Sequence, residues 1–442
     1  MLLFILGRQP EIGLAELRAV SNNQAELIAP GIAMIDRSLS WDSIDDSQKK
    51  TARRQFARLG STVKIAEVFG EIPDLSRTSL AKILREKFSS VEGKITIGIS
   101  LYGEKFLVRD IAKVSSEVKN ILQTKNSVRL IPNTEKALSS AAVFHNKLDS
   151  NNIKKSELIF VPSNGKVFIA RTIFVQNINS YTLRDRGRPK RDARVGMLPP
   201  KLAQTMINLA GGGKFFNDFP AANLSDIPKA YSETSHLSNK VYMPDFLLDP
   251  FCGTGVVLQE ALLMGIKYPY GTDIEPRMVE YTMENLRWAV QKFNIKNYNM
   301  KIYPADATNE NWLDYRRSKV KPESDAMELK SCADLVITET YLGRPYATAP
   351  DETSLRKNIA NCDIILTKFL KNLRSQITEK TGVCVAIPCW FVRNRVFHLK
   401  LVRNLAEIGF EQIFYSHDKK PLIYHRENQI VGRELLVLRK KI

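Results

Sequence analysis

What the chain lacks narrows its class. Its 442 residues include five cysteines, Cys252, Cys332, Cys362, Cys384 and Cys389, scattered through the C-terminal half without the paired spacing of a zinc site. That argues against a disulfide framework or a metal centre and for a reducing, cytoplasmic setting. No run reaches the ~18–20 apolar residues that span a bilayer, so no membrane partner is expected. The opening "MLLFILG" has no basic leader and no small-residue cleavage site after it, and it reads as a strand rather than a signal peptide. Internal repeats and low-complexity tracts are missing too. The histidines, His145, His236, His398, His417 and His425, stand apart with no acid or nucleophile partner in view, which points to surface or packing roles. Acidic residues are the last shortage: 47 Asp and Glu face 65 Lys and Arg, for a net charge of +18. A surplus of that size favours a polyanionic partner, either nucleic acid or an acidic membrane surface.

Strand and helix patterns alternate from the start. "LLFILG" predicts a strand and "PEIGLAELRAV" a helix with Ile12, Leu14, Leu17 and Val20 on one face. "TARRQFARLGSTVKIAEVFGEI" predicts a helix leading into a strand near Val63 to Phe69. "LAKILREKF" and "SSEVKNILQTK" read as helices; "KITIGISLYG", "SVRLIP", "SELIFVPS" and "KVFIARTIFVQ" read as strands. Small α+β units fit this order.

A basic stretch follows. Arg184, Arg186, Arg188, Lys190, Arg191 and Arg194 lie within residues 184–194, opposed by Asp185 and Asp192. Pro189 and two glycines argue against a regular element there. By itself the stretch reads as a solvated linker, although guanidinium groups also bind phosphate oxygens in a bidentate way. A helix is expected from Pro199, with Leu202, Met206 and Leu209 on one side. Residues 211–244 are rich in turn formers and predict a long loop, the kind usually kept for function or motion.

From Asp245 onward βα units repeat. "FLLDP", "YPYGTD", "YNMKIYPAD", "ADLVITET" and "GVCVAIP" predict strands, and "FEQIFYSH" and "RELLVLRK" close the chain as two more. "TGVVLQEALLMG" and "PRMVEYTMENLRWAV" predict helices, the second with Val279, Met283, Leu286 and Val290 on one face, and a long helix covers Leu355 to Leu373. The alternation implies a mostly parallel sheet wrapped by helices, with the ligand at the carboxyl ends of its strands.

The first of those ends reads "DPFCGTG". No lysine follows the last glycine, which counts against a phosphate cradle. Asp249 instead ends the strand, and Gly253 and Gly255 permit a ligand to lie against backbone. Asp273 ends the second strand about 20 residues on, where an acid grips ribose hydroxyls. Asp306, in "PADAT", ends the third and can accept from an adenine amino group. Three acidic strand ends around a glycine turn fit an adenosyl ligand without phosphates.

This set resembles the class I methyltransferases that use S-adenosylmethionine, and "DPFCGTG" is close to the form found in RNA and DNA amino-methyltransferases. "FILGRQPEIGLAEL", "RDRGRPKRDARVGMLPPKLAQTMINLA" and "DPFCGTG" occur in the order seen in THUMP-domain tRNA methyltransferases, and most resemble the archaeal and eukaryotic enzymes that make N2-methylguanosine at position ten of tRNA. The resemblance covers nearly the whole chain, most thinly between about 20 and 130. It implies an α/β fold: a C-terminal Rossmann-like class I methyltransferase domain with a mostly parallel seven-stranded sheet, at 199–442. It also implies an N-terminal ferredoxin-like domain at 1–60 (in part), a THUMP domain at 61–178 and a basic linker at 179–198. The implied cofactor set is Asp249, Phe251, Gly253, Gly255, Asp273, Ile274, Asp306 and Ala307. The implied RNA-binding set is Arg184, Arg186, Arg188, Lys190, Arg191 and Arg194. Asn285 matches an asparagine of the family. The implied partner is tRNA, and some family members add a small activating subunit.

The family's D-P-P-Y loop at the fourth strand holds an exocyclic amine between two acceptors and stacks the flipped base on an aromatic ring. Here the strand reads "DLVITETYLGRP". In register, Glu339 takes the aspartate position, Thr340 and Tyr341 replace both prolines, Leu342 replaces the aromatic and Gly343 matches. Catalysis is therefore expected from Glu339, Thr340 and Tyr341, with Tyr341 or Tyr346 supplying the stack. The departure leaves two alternatives open: a degenerate methyltransferase that only binds RNA or a partner, or an amino-methyltransferase of rRNA or DNA. Cys389, in "PCW", would be a nucleophile only for pyrimidine C5 methylation. Tyr424, Arg426 and Arg433 lie near the last strands as further RNA-contact candidates.

Overall fold

The computed structural model describes residues 1–36, 41–192, 197–212, 244–317, 331–346, 348–416, 418–427 and 429–442. Arg194, His236, His417 and nearly all of the expected 211–244 loop lie outside the described residues. The described chain divides between Tyr181 and Thr182 into two compact units.

The first unit runs β1 (Leu2–Leu6), α1 (Pro10–Val20), β2 (Glu26–Ala29), β3 (Ile32–Ile35), α2 (Asp46–Phe56), β4 (Thr62–Ile72), α3 (Arg77–Lys87), β5 (Gly93–Leu101) and α4 (Val108–Leu122). It continues with β6 (Asn126–Leu130), α5 (Ser140–His145), β7 (Lys155–Ser163) and β8 (Lys166–Val175). The strands form one sheet in the order β2-β3-β1-β4-β8-β7-β5-β6. The segments expected as separate domains at 1–60 and 61–178 thus share a sheet, because β4 pairs with β1 on one side and β8 on the other. α1 begins with Pro10 in its first turn, where the missing N–H costs nothing. α2 starts at a capping box in which Asp45 and Gln48 exchange side-chain and backbone bonds. Lys64, on β4, reaches across the interior to Glu157 on β7, at 2.6 Å.

α6 (Ile178–Arg186) follows, and the division falls within it. The expected irregular linker is thus helical as far as Arg186, and from Thr182 onward it belongs to the second unit.

The second unit continues with α7 (Pro200–Gly211), β9 (Phe246–Asp249), α8 (Val256–Leu263), β10 (Tyr268–Asp273), α9 (Pro276–Phe293), β11 (Lys301–Pro304), α10 (Trp312–Arg317) and β12 (Leu335–Glu339). Then come α11 (Glu352–Ser375), β13 (Gly382–Val392), β14 (Arg395–Phe397), α12 (Leu405–Ile408), β15 (Phe410–Gln412), β16 (Leu422–Tyr424) and β17 (Val431–Lys440). The sheet order is β11-β10-β9-β12-β13-β17-β15, with β14 added to β13 and β16 to β17. β9 to β13 are parallel and β17 runs against them. Trp312, Phe369 and Trp390 are fully buried on this sheet's core; side chains of that size contribute about 1.5–3 kcal/mol each.

α9 departs from its expected face. Val279 and Leu286 are buried, but so are Thr282 and Asn285, in preference to Met283 and Val290. The polar pair is tolerated inside because the glycine turn supplies its partners.

Candidate active site

β11, β10, β9 and β12 end side by side, and their carboxyl ends open on a cleft of about 1010 Å³. The turn after β9 sets its floor. Gly253 has φ 52 and Gly255 φ 81, conformations that glycine adopts at little cost. Their surroundings differ. A Cβ on Gly253 would meet nothing within 4 Å, whereas one on Gly255 would lie 2.8 Å from Thr282 Cγ2. Gly253 therefore faces the cleft, and Gly255, expected there, instead lets α9 approach the turn. The Thr282 hydroxyl donates to the Gly253 carbonyl at 2.7 Å, and Asn285 Nδ2 to the Thr254 carbonyl at 2.9 Å.

The acidic strand ends converge as expected. Asp273 accepts from the Gly253 and Glu275 amides at 2.8 and 3.0 Å, which fixes its carboxylate beside the turn. Burial raises its pKa above the ordinary value, while those two amides oppose the shift. Asp306 accepts from the Thr308 amide at 2.9 Å and lines the cleft with Ala307. Ile274 is 71% exposed at the rim, and Phe251 sits edge-on to Phe369. Asp249 is 2% exposed and takes the Thr338 hydroxyl at 2.6 Å. Burial, with the charges of Asp273 and Glu339 added, pushes its pKa up to about 8.

Glu339, Thr340 and Tyr341 also line the cleft. Glu339 Oε1 accepts from Arg433 Nε of β17, two strands away in the sheet, and no described residue engages Oε2. Burial raises the Glu339 pKa, and Arg433 opposes the rise. The Thr340 hydroxyl turns away to the Ala386 carbonyl at 3.1 Å. Tyr341 remains 41% exposed, whereas the Tyr346 hydroxyl is tied to the Ser354 carbonyl. Both rings line the cleft, and Tyr341 is the more exposed of the two. Asn358 clasps the loop, accepting from the Arg344 amide at 3.0 Å, and a Cβ on Gly343 would fall 2.6 Å from its Oδ1.

The basic stretch splits. Arg184 is buried against Glu260, and Arg188 is buried with its guanidinium against Thr254 of the glycine turn. Neither side chain is presented to an RNA backbone, which corrects that expectation: each is held inside by its partners. Lys190 exchanges two backbone bonds of 2.9 Å with Asn285, and its ammonium lies 3.5 Å from Glu284. Arg186 and Arg191 are exposed. Cys389 is buried, and burial raises its thiol to about 12, which leaves it inert at neutral pH.

Sequence reasoning missed Thr338 and Asn358 as partners and took Arg433 for an RNA contact. The available signal was an arginine and a glutamate, Arg433 and Glu434, inside the otherwise apolar "RELLVL". Glu434 turns the other way, to His398 at 2.6 Å.

Strand order, glycine turn and acidic strand ends give the second unit a mostly parallel, doubly wound α/β fold with its cleft at the carboxyl ends of the strands. The chain has curated relatives named tRNA (guanine(10)-N2)-dimethyltransferase. That of Methanothermobacter thermautotrophicus is 26% identical over 193 residues, 44% of this chain and 39% of the relative. Those of Methanocaldococcus jannaschii and Pyrococcus abyssi are 30% and 28% identical over 146 and 188 residues, covering 32% and 41% of this chain and 32% and 44% of their own lengths. The chain thus matches less than half the length of each. Among solved structures, TrmN from Thermus thermophilus covers 99% of both chains at 14% identity and a TM-score of 0.47. No family profile matches the chain. No helix among the described residues is long and apolar enough to cross a membrane.

Proposed function

We propose that the chain is an S-adenosylmethionine-dependent methyltransferase acting on an exocyclic amine of an RNA base, guanine N2 in tRNA. The observation that carries this reading is the cleft itself, with Gly253 open to it and Asp249, Asp273, Asp306 and Glu339 at four adjacent strand ends. The residues fit the cofactor: the bare backbone at Gly253 and the carboxylates of Asp273 and Asp306 lining the cleft suit an adenosyl group carrying a sulfonium charge. Asp273 would hold the ribose hydroxyls and Asp306 the adenine amino group, with Phe251, Ile274 and Ala307 as apolar walls. When bound, the cofactor supplies an electrophilic methyl group on a sulfonium centre.

The remaining work belongs to this chain. A guanine N2 lone pair is delocalised into the ring. Glu339 Oε2 and the Thr340 carbonyl would each accept an amino proton and draw the nitrogen toward tetrahedral geometry, aligning its lone pair at the ~3–3.5 Å approach that transfer needs. Tyr341 would stack the extruded base. The amine can shed its proton after attack, so no general base is required. The exposed Arg186 and Arg191 would contact the RNA backbone, and the first unit would contribute the THUMP-type tRNA-binding surface.

The engagement of Glu339 by Arg433 favours one second reading, an RNA-binding protein without transfer. Labelled S-adenosylmethionine incubated with unmodified tRNA, ribosomal RNA and DNA, followed by nucleoside mass spectrometry, separates them. N2-methylguanosine in tRNA is expected. Another methylated nucleoside would move the target. Cofactor binding without label on any substrate would favour the second reading.

A further inference from the structure

β13 outruns its neighbour. Its Ala386 pairs with Glu339, the last residue of β12, yet the strand continues to Val392. Six residues at ~3.3 Å each carry it about 20 Å past the acceptor carboxylate. β14 and the start of β17 flank this overhang, through Val392 opposite Arg395 and Trp390 opposite Val431. The loop after β16 closes on it by stacking His425 on Phe391, ring centroids 3.6 Å apart.

The tip of the overhang is basic. Residues 390–404 read "WFVRNRVFHLKLVRN", with Arg393, Arg395, Lys400 and Arg403 and no acid. Arg393 and Arg395 are exposed, and neither is paired with an acid among the described residues. Arg426 is exposed one residue beyond the stacked His425, beside the acid Glu427. The turn joining β13 to β14 is the two residues Arg393 and Asn394, at φ 47 and 61. Both central positions of such a turn require left-handed backbone, where Asn and Gly are favoured and a long side chain costs about 1 kcal/mol. The turn places Arg393 at the solvent-facing tip, two residues from Arg395 at the start of β14.

We infer that this overhang is an arm for the phosphodiester backbone of the substrate RNA, gripping phosphates a few nucleotides from the base presented to Glu339. The inference rests on the RNA methyltransferase reading and adds a contact surface to it. Arg393 and Arg395 act as the paired guanidinium contacts, with Arg426 alongside. Phosphate contacts of this type position a nucleic acid without reading its sequence.

The test compares two neutralised pairs of equal charge loss. Arg393→Gln with Arg395→Gln removes the tip; Arg439→Gln with Lys441→Gln removes two cations at the far end of the same sheet. Binding to an unmodified tRNA transcript is followed across salt concentrations, with thermal melting and S-adenosylhomocysteine affinity as checks on folding and on the cofactor site. The tip pair should weaken binding about tenfold at low salt and lower the slope of log K against log salt by about 1.5, as two lost phosphate contacts do. The far pair should leave the slope within about 0.5 of wild type. Equal effects from the two pairs, or none from the tip pair, would overturn the arm. A wild-type protein that binds tRNA but methylates nothing would sink the enzymatic reading and leave the arm to be judged by its slope. One that binds no RNA would overturn both.

Discussion

Each unit buries carboxylates inside its sheet, and the two units treat them differently. In the first, Glu157 is 0% exposed and takes Lys64, Ser100 and Thr172 at 2.6 Å each. Lys64 in turn donates to the Leu138 carbonyl at 2.7 Å. Both oxygens of that carboxylate face protein donors on every side. In the second, Asp249 and Glu339 are also desolvated, but they line a cleft, and Glu339 keeps Oε2 unengaged by any described residue. The contrast separates two uses of the same unfavourable burial. Glu157 ties β4, β5 and β8 to its own strand; in the proposed reading, Glu339 Oε2 is kept for the amine.

The contrast breaks down if the two classes respond alike to substitution. Glu157→Gln leaves the Lys64 ammonium buried without its counter-ion. A loss of about 3–5 kcal/mol in unfolding free energy is expected, and chemical denaturation monitored on the first unit will read it. A loss below about 1 kcal/mol would show that Glu157 does not hold that sheet together. Glu339→Gln should act on both counts, lowering single-turnover methyl transfer about 10²- to 10³-fold, as expected for removing an electrostatic contact to the reacting group, and lowering the melting temperature because the buried Arg433 guanidinium loses its counter-ion. Its S-adenosylhomocysteine affinity should stay near wild type, which separates it from a cofactor-site variant. Asp249→Ala should weaken S-adenosylhomocysteine binding roughly ten- to hundredfold by calorimetry, the range for losing a hydrogen bond to a charged group. Unaltered binding there would overturn the cofactor assignment. The smallest effect is on pH dependence. Asp249 has a folded pKa raised from 3.8 to about 8, so its favourable contribution is complete below the lower value and is lost as pH rises through the upper one. Melting temperature should fall across that window without ligand, and Asp249→Asn should flatten the fall.

Much of the second unit was legible because its signals are local. Apolar runs ending in Asp249, Asp273 and Glu339 became strand ends, Asp306 follows the end of β11 by two residues, and the helices between them appeared. What escaped was set by contacts distant in sequence. Thr282 and Asn285 break the apolar face of α9 because the turn at 253–255 supplies their partners. Arg184 and Arg188 read as solvated charge since nothing near them in sequence announces Glu260 or the Thr254 hydroxyl. β14 and β16, of three residues each, are too short to show a period, and with them the overhang of β13 was hidden. In the first unit β2 and β3, of four residues each, went unread, and so did the continuity of one sheet across residue 60, since pairing of β4 with both β1 and β8 leaves no mark on composition.

The burial of Arg184 on Glu260 has a consequence for how such proteins are taken apart and recombined. A fragment begun at residue 199, where the sequence suggests the domain starts, would discard Arg184, Arg188 and Lys190. Glu260, 0% exposed, would keep its place in α8 with its cation gone, and Asn285 would lose both bonds to Lys190. Removing one partner of a buried pair costs about 3–5 kcal/mol, a large part of the stability of a single domain. The seam therefore lies near Thr182, and any fragment carrying the second unit would have to take the residues from Thr182 to Asp192 along with it.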